Sequence, residues 1–164
     1  MDDSRAFRQA WAKFPTGVSV VTTIQPDGQV HGMTANGIIS VSLEPLLVLA
    51  CVGHKANSHT IIKESGRFAI SVLNEDQRLI GEYYARPVEK RTGDVSVSFS
   101  FTEKGAAFVD GGLASMDCHV VDEHEAGDHT IFVGEVDEVQ VRPGRPLVYY
   151  EGRFGGLPAE AFPP

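Results

Sequence analysis

The chain has 164 residues, 42% of them hydrophobic, which is enough for one globular core and too few for two, so residues 1–164 read as a single domain. A formal net charge of −8 argues against nucleic acid, because phosphate binding needs a basic stripe and no Lys/Arg cluster exceeds the Lys90-Arg91 pair. The longest dense apolar run, Leu46 to Val52, falls far short of the roughly 20 residues that cross a bilayer, so no membrane span is expected.

From Ser4 to Lys13, apolar residues at Ala6, Phe7, Ala10 and Trp11 keep to one face of a short helix, with Ser4 as its N-cap. Val18 to Ile24 is rich in Val and Thr, and Pro26-Asp27-Gly28 turns the chain before Val30, which predicts a hairpin. Gly32 and Gly37 allow close backbone approach in the mixed stretch from His31 to Ser42. Pro45 then introduces the buried strand Leu46 to Val52, and Asn57 to Gly66 has a capping residue at its start and a glycine at its end, the marks of a two-turn helix. Phe68, Ile70 and Val72 alternate as a strand, and Asn74 with Gln77 forms a capping pair for a helix running to about Tyr84.

The segment from Ala85 to Lys104 holds Pro87, Lys90, Arg91, Gly93 and Asp94 and is the most loop-like part of the chain. Ala114, Met116, Cys118 and Val120 predict a strand with one dry face, the intervening Ser115, Asp117 and His119 lying on a wet one. Asp122 to Asp128 reads as a charged turn, followed by strands at Thr130 to Val136, Val139 to Val141 and Leu147 to Tyr150, then a Gly-rich tail from Gly152. Roughly six or seven strands without regular strand–helix alternation imply a mainly β fold, a closed antiparallel β-barrel with short helices outside it.

The N-terminus carries acids where a secretory signal would carry bases, so the expected compartment is the cytoplasm. Cys51 and Cys118 lie in apolar runs and are expected as buried free thiols. Seven aromatics (Phe7, Trp11, Phe14, Phe68, Phe99, Phe132 and Phe154) are expected in the core.

The strongest physical feature is the helix start at Asn57-Ser58. Free N–H groups and the positive end of the helix dipole, with Lys55 close by, suit a phosphate, although the same residues also read as an ordinary N-cap beside a solvent lysine. Met33 to Gly37 offers small side chains against which a flat ring can lie, or simply a strand end with a bulge. Neither a Gly-rich dinucleotide fingerprint nor a P-loop occurs, so a nucleotide bound here is held without a Rossmann unit. His119, His124 and His129 are spaced by five, but such spacing gives no common face in a strand–turn–strand context and no metal set is expected. No nucleophile elbow or recognisable Cys/His pair points to a hydrolase.

Four stretches occur in order: Phe14 to Thr23; His31 to Asn36 with Ser40 to Pro45; Phe68 to Leu73; and Gly127 to Val136. Together they resemble the short flavin reductase family, the reductase components of two-component flavin-dependent monooxygenases. The resemblance implies an FMN-binding split β-barrel, Greek-key-like and usually homodimeric, that takes hydride from NADH or NADPH, reduces FMN or FAD and supplies a separate monooxygenase. It places Thr34, Ala35 and Asn36 along the flavin ring with Ser40 and Ser42 nearby, backbone contacts at Cys51, Val52 and Gly53, and the phosphate on Lys55, Asn57 and Ser58. Asp128 and His129 belong to the motif near the nicotinamide, His129 positioning it, and Phe154 covers part of the site. Lys90-Arg91 departs from the family's basic–aromatic pair, which leaves open what residues 85–104 contact and the preferences for FMN or FAD and for NADH or NADPH. Two other readings stand beside it: a flavin-binding electron-transfer module of the same fold that reduces no free flavin, and an oxidase of the pyridoxamine-phosphate type.

Overall fold

The computed structural model describes residues 3–93, 95–158 and 160; Asp94 of the expected loop and the N-terminal Met1 and Asp2 lie outside them. In chain order the elements are α1 (Asp3–Trp11), β1 (Thr16–Gly17), β2 (Ser19–Ile24), β3 (Val30–Ala35), β4 (Ile38–Leu43), β5 (Leu46–Gly53), α2 (Asn57–Ser65) and β6 (Arg67–Val72). There follow α3 (Arg78–Tyr84), β7 (Phe99–Phe101), β8 (Ala107–Val109), β9 (Ala114–Ala126), β10 (His129–Val141), β11 (Leu147–Tyr150) and β12 (Arg153–Gly156). Among the described residues, no helix is long and apolar enough to cross a membrane.

The fold is mainly β. Seven strands pair in the order β3-β2-β6-β9-β10-β5-β4, every ladder antiparallel, while β1-β11-β12 and β7-β8 form smaller sheets. The large sheet curls strongly. Val21 on β2 shares one buried cluster with Val48, Ala50 and Val52 on β5, although three strands separate β2 from β5 in the ladder order. Phe68, Ile70, Cys118 and Phe132 fill that cluster, and Ile62 of α2 enters it as well. Removing Phe68 or Phe132 from water contributes roughly 1.5–3 kcal/mol each. The expected closed barrel is not what the ladders form, because the sheet is open. Its edges are β3 and β4, joined through Asn36-Gly37, and no ladder links them among the described residues.

Local signals explain much of this. The β2–β3 hairpin turns at Gly28, whose φ of 84° suits glycine, and α2 ends on Gly66 at φ 66°, its N–H bonded to the Ile62 carbonyl. Ahead of α3, the Asn74 side chain accepts from the Asp76 N–H (2.8 Å) and Gln77 returns a bond to the Asn74 N–H (3.0 Å), the reciprocal pair expected from the sequence. Both cysteines are free. Cys118 is buried, with its thiol pushed up to about 12 by that burial, whereas Cys51 is only half-buried.

Several expectations are corrected. α1 starts at Asp3, so Ser4 lies in its first turn and does not precede it. Phe7, Trp11 and Phe14 are exposed and stack on one another instead of entering the core. Asp122 to Ala126 is no turn but the continuation of β9, and β10 runs unbroken through Asp137, where a bulge separates Val136 from Glu138. Beyond Val120, β9 pairs only with β10 and is exposed on both faces, which hides the period of two. Asp117 is wholly buried, not wet, since Arg67 (2.6 Å) and Thr102 (2.7 Å) hydrogen-bond it there. Within 85–104, a short 3-10 turn forms at Val88–Lys90 and β7 pairs with β8. The Gly-rich tail returns as β12 beside β11.

Candidate functional site

The N-terminus of α2 is held rigidly from beneath. Ile62 anchors the helix in the core, and the turn before it closes through the Ala56 N–H on the Gly53 carbonyl (2.9 Å). The N-cap is Ala56, not Asn57, and no side chain caps the helix. Ser58 is 1% exposed, and its Oγ has no hydrogen-bond partner. A buried unpaired hydroxyl costs about 1–3 kcal/mol, so its persistence beside uncapped helix N–H groups points to a ligand that completes it.

Ser58, Asn57 and Lys55 line a cavity of about 500 Å³ together with Thr34. A second cavity of about 260 Å³ adjoins it through Thr34 and Ala85, and is lined by Ala35, Asn36 and Phe154. The β11–β12 hairpin brings Phe154 there from the end of the chain, with its ring packed on Tyr149 at 5.1 Å between centroids. The structure thus gathers Thr34, Ala35, Asn36, Lys55, Asn57, Ser58 and Phe154 around two adjoining cavities. The Thr34 hydroxyl donates to the Gly81 carbonyl (2.7 Å), so it is engaged with α3.

The other expected residues line neither cavity. Ser40 is exposed on edge strand β4, and the Ser42 hydroxyl accepts from the Glu44 N–H (3.1 Å). The Val52 side chain is core. Cys51 supports the link between the sheet edges, donating its N–H to the Gly37 carbonyl (2.9 Å), and a Cβ on Gly37 would lie 3.2 Å from the Cys51 Cβ. His129 stands across the β5–β10 ladder from Gly53, its imidazole over that glycine, half-exposed and hydrogen-bonded through Nδ1 to Asp128 (2.7 Å). That bond holds the exposed Asp128 carboxyl below the usual carboxylate range. His119 and His124 disperse to Asp137 and Asp122 respectively.

Sequence reasoning missed the second wall of the larger cavity, from Tyr84 to Arg91. Arg91 fastens it. Its guanidinium donates to the carbonyls of Gly32 (2.9 Å) and Arg86 (3.0 Å) and lies 5.1 Å from the Tyr84 ring centroid and 5.8 Å from that of Tyr83. The glycine in His31-Gly32-Met33 is required by this wall, because a Cβ there would come within 2.6 Å of the Tyr84 ring. Burial, and then the nearby Arg91 charge, keep the His31 imidazole below its ordinary pKa, so it faces the cavity neutral at pH 7. The one visible signal was the Lys90-Arg91 pair itself.

An open, curled antiparallel sheet with a phosphate-suited helix start beside a slot of small residues defines a nucleotide-binding β protein without a Rossmann unit. Residues 11–158 match the family described as "Flavin reductase like domain", and the chain belongs to that family. It is 40% identical over 157 residues to the actinorhodin polyketide dimerase of Streptomyces coelicolor, covering 94% of this chain and 87% of that one. With the NADH-dependent flavin reductase of a Rhodococcus species it shares 39% identity over 92% of this chain and 84% of the other. The reductase component of the 4-nitrophenol 4-monooxygenase/4-nitrocatechol 2-monooxygenase of Rhodococcus opacus is 37% identical, over 93% and 80%. Among solved structures, flavin reductase PheA2 in its native state superposes with a TM-score of 0.88 at 40% identity, covering 96% of this chain and 99% of that one. The NADH:FAD oxidoreductase SgcE6 of Streptomyces globisporus, in complex with NAD and FAD fragments, gives 0.88 at 36% identity over 98% and 96%.

Proposed function

We propose that this protein is a nicotinamide-dependent flavin reductase: it takes hydride from NADH or NADPH, passes it to FMN or FAD, and supplies reduced flavin to a separate monooxygenase. The observation that carries this reading is the unpaired Ser58 hydroxyl, buried at the uncapped start of α2 and lining a 500 Å³ cavity beside Lys55, in a chain of this family.

Ser58 Oγ, the first N–H groups of α2 and the Lys55 ammonium hold the phosphate end, where hydrogen-bond donors and positive dipole converge. Thr34, Ala35 and Asn36 present backbone and small side chains to the ring, and Phe154 shields it from water. Bound flavin supplies the hydride acceptor, and the protein supplies placement. His129, fixed by Asp128, positions the nicotinamide at the end of β5, where Gly53 lets the imidazole lie close to the strand. Cys51, Val52 and Gly53 contribute through the main chain of β5 that leads into the α2 turn, and like Ser40 and Ser42 they line neither cavity.

The curled open sheet corresponds to the family's split barrel, with the split at the β3–β4 edges, and residues 1–164 act as one domain. Exposed Ile39, Val41 and Leu43 on β4 support a homodimer, which light scattering would weigh directly. The free thiols suit the reducing cytoplasm.

The test is a matrix of NADH and NADPH against FMN, FAD and riboflavin, followed at the nicotinamide absorbance band. Steady oxidation, with riboflavin the poorest acceptor because it lacks a phosphate, is the expected outcome. No turnover in any combination overturns the reading, and tight flavin binding without turnover would favour the electron-transfer module.

A further inference from the structure

Beside the β5–α2 turn, three side chains converge that line neither cavity and that the reductase reading does not use. His54 comes from the turn itself, His59 from the first turn of α2, and Glu125 from the end of β9. One ligand atom from each lies within 4.8 Å of the others. His54 Nε2 is 2.9 Å from Glu125 Oε2. The Thr130 hydroxyl, wholly buried on β10, marks the point of convergence, at 2.8 Å from His59 Nε2, 3.2 Å from His54 Nε2 and 3.2 Å from Glu125 Oε1.

We propose that His54, His59 and Glu125 bind a divalent transition-metal ion of the zinc type. Two imidazoles and one carboxylate are a borderline donor set suited to Zn²⁺, whereas Ca²⁺ and Mg²⁺ prefer all-oxygen shells. Both imidazoles present Nε2 to the same point, so each coordinates as the Nδ1–H tautomer, and the ion takes the place of the hydrogen bonds that now join the four groups. The site is pre-organised. His59 packs against Phe132 (5.6 Å between centroids) and His54 edge-on against His59 (5.0 Å), which fixes both rings before an ion arrives. Glu125 and His54 are exposed, giving the ion a path from solvent.

The ion would tie two turns together. The His54 N–H donates to the Asp128 carbonyl (3.0 Å), so one metal spans the turn leading into Lys55 and Ser58 and the turn carrying Asp128 and His129. It therefore fixes the separation of the proposed phosphate and nicotinamide positions, while binding itself requires neither flavin nor nicotinamide.

Titration of the full-length, metal-free protein with ZnCl₂ by calorimetry, and with Co²⁺ followed by its visible ligand-field bands, tests this without reference to activity. One Zn²⁺ per chain is expected, with a rise in Tm that follows mass action. Glu125→Gln keeps the size and a hydrogen-bonding end at an exposed position, and His59→Gln removes one imidazole. Each should weaken binding by more than the roughly 10–100-fold that loss of an outer-shell partner costs. Circular dichroism on each variant establishes that it is folded. His124→Gln, which removes the exposed histidine paired with Asp122, should change nothing. Absence of saturable Zn²⁺ binding in the wild type, affinity unaltered by Glu125→Gln, or loss of binding in His124→Gln would each overturn the proposal.

Discussion

The two ends of α2 are both polar and face opposite fates. At its C-terminal end, Arg67 donates to Asp117 and Asp137, Lys104 and His119 add bonds to Asp137, and Thr102 completes Asp117. Only Arg67 Nε among the buried side-chain atoms of this cluster lacks a partner. At the N-terminal end, Ser58 Oγ is buried and unpaired, and Lys55 forms no ion pair among the described residues. The Arg67 network, with one guanidinium N–H left over, spends nearly all its bonding on the fold. An unsaturated one keeps bonding in reserve for a ligand, at a cost in stability.

The comparison is broken most severely at the C-terminal end. Asp117→Ala should destabilise the protein by about 3 kcal/mol, because it removes the buried charge-assisted bonds of Arg67 and Thr102 while Arg67 keeps Asp137 as a partner. Urea unfolding measures the loss, and turnover per folded molecule should be unchanged. A smaller effect belongs to Asp137. Its burial favours the neutral acid, but the bonds from Lys104, Arg67 and His119 prevail and hold the carboxyl well below the usual range. Its folded pKa therefore lies below the roughly 3.9 of an unfolded aspartate, so its stabilisation is present above about pH 4 and is lost as pH falls through the folded value. Asp137→Asn should lower the urea midpoint at pH 7 and make it fall less steeply below about pH 4. A variant with the wild-type acid slope would show that the cluster is not the source of that stability.

How legible these regions were in the sequence follows the same division. The β2–β3 hairpin, β5, α2 and the Asn74–Gln77 pair were readable because alternation, capping and turn glycines act over a few residues. Lys55 to Ser58 was readable as a helix start, but the burial of Ser58 was not. Asp117 looked wet because Arg67, which satisfies it, lies 50 residues earlier. The 84–91 wall was opaque for the same reason, since Arg91 fastens to Gly32, 59 residues away. Glu125 was placed in a turn, since β9 beyond Val120 is a sheet edge exposed on both faces and has no dry face to mark it as a strand. The barrel was over-read: alternating strands imply a curled sheet, but nothing local decides whether its last two edges pair.

Arg91 sharpens the contrast because it lines the ligand cavity and is nevertheless saturated. It should behave as a wall fastener, and losing charge-assisted bonds of its kind costs roughly 1.5–3 kcal/mol. Arg91→Ala should lower stability within that range and expose the 85–93 segment to limited proteolysis. KM for flavin should rise more than kcat falls, because the wall shapes the cavity and takes no part in the transfer. If proteolysis stays at the wild-type rate, the wall is held by something other than this guanidinium.

Ser58→Ala has the smallest effect on stability and the most informative sign. In the ligand-free protein the hydroxyl is a buried polar group without a partner, and removing it relieves that cost while leaving the Cβ in place. Stability should therefore hold or rise by up to about 1 kcal/mol. Affinity for FMN should move the other way, weakening by up to about tenfold as one hydrogen bond to the phosphate is lost. Riboflavin, which brings no phosphate to Ser58, should bind the variant and the wild type alike. Calorimetry with both ligands and thermal unfolding of the free protein make the three measurements. Opposite signs for stability and FMN affinity are what an unsaturated end must give, whereas a fall in both would class Ser58 with the structural hydroxyls of the other end.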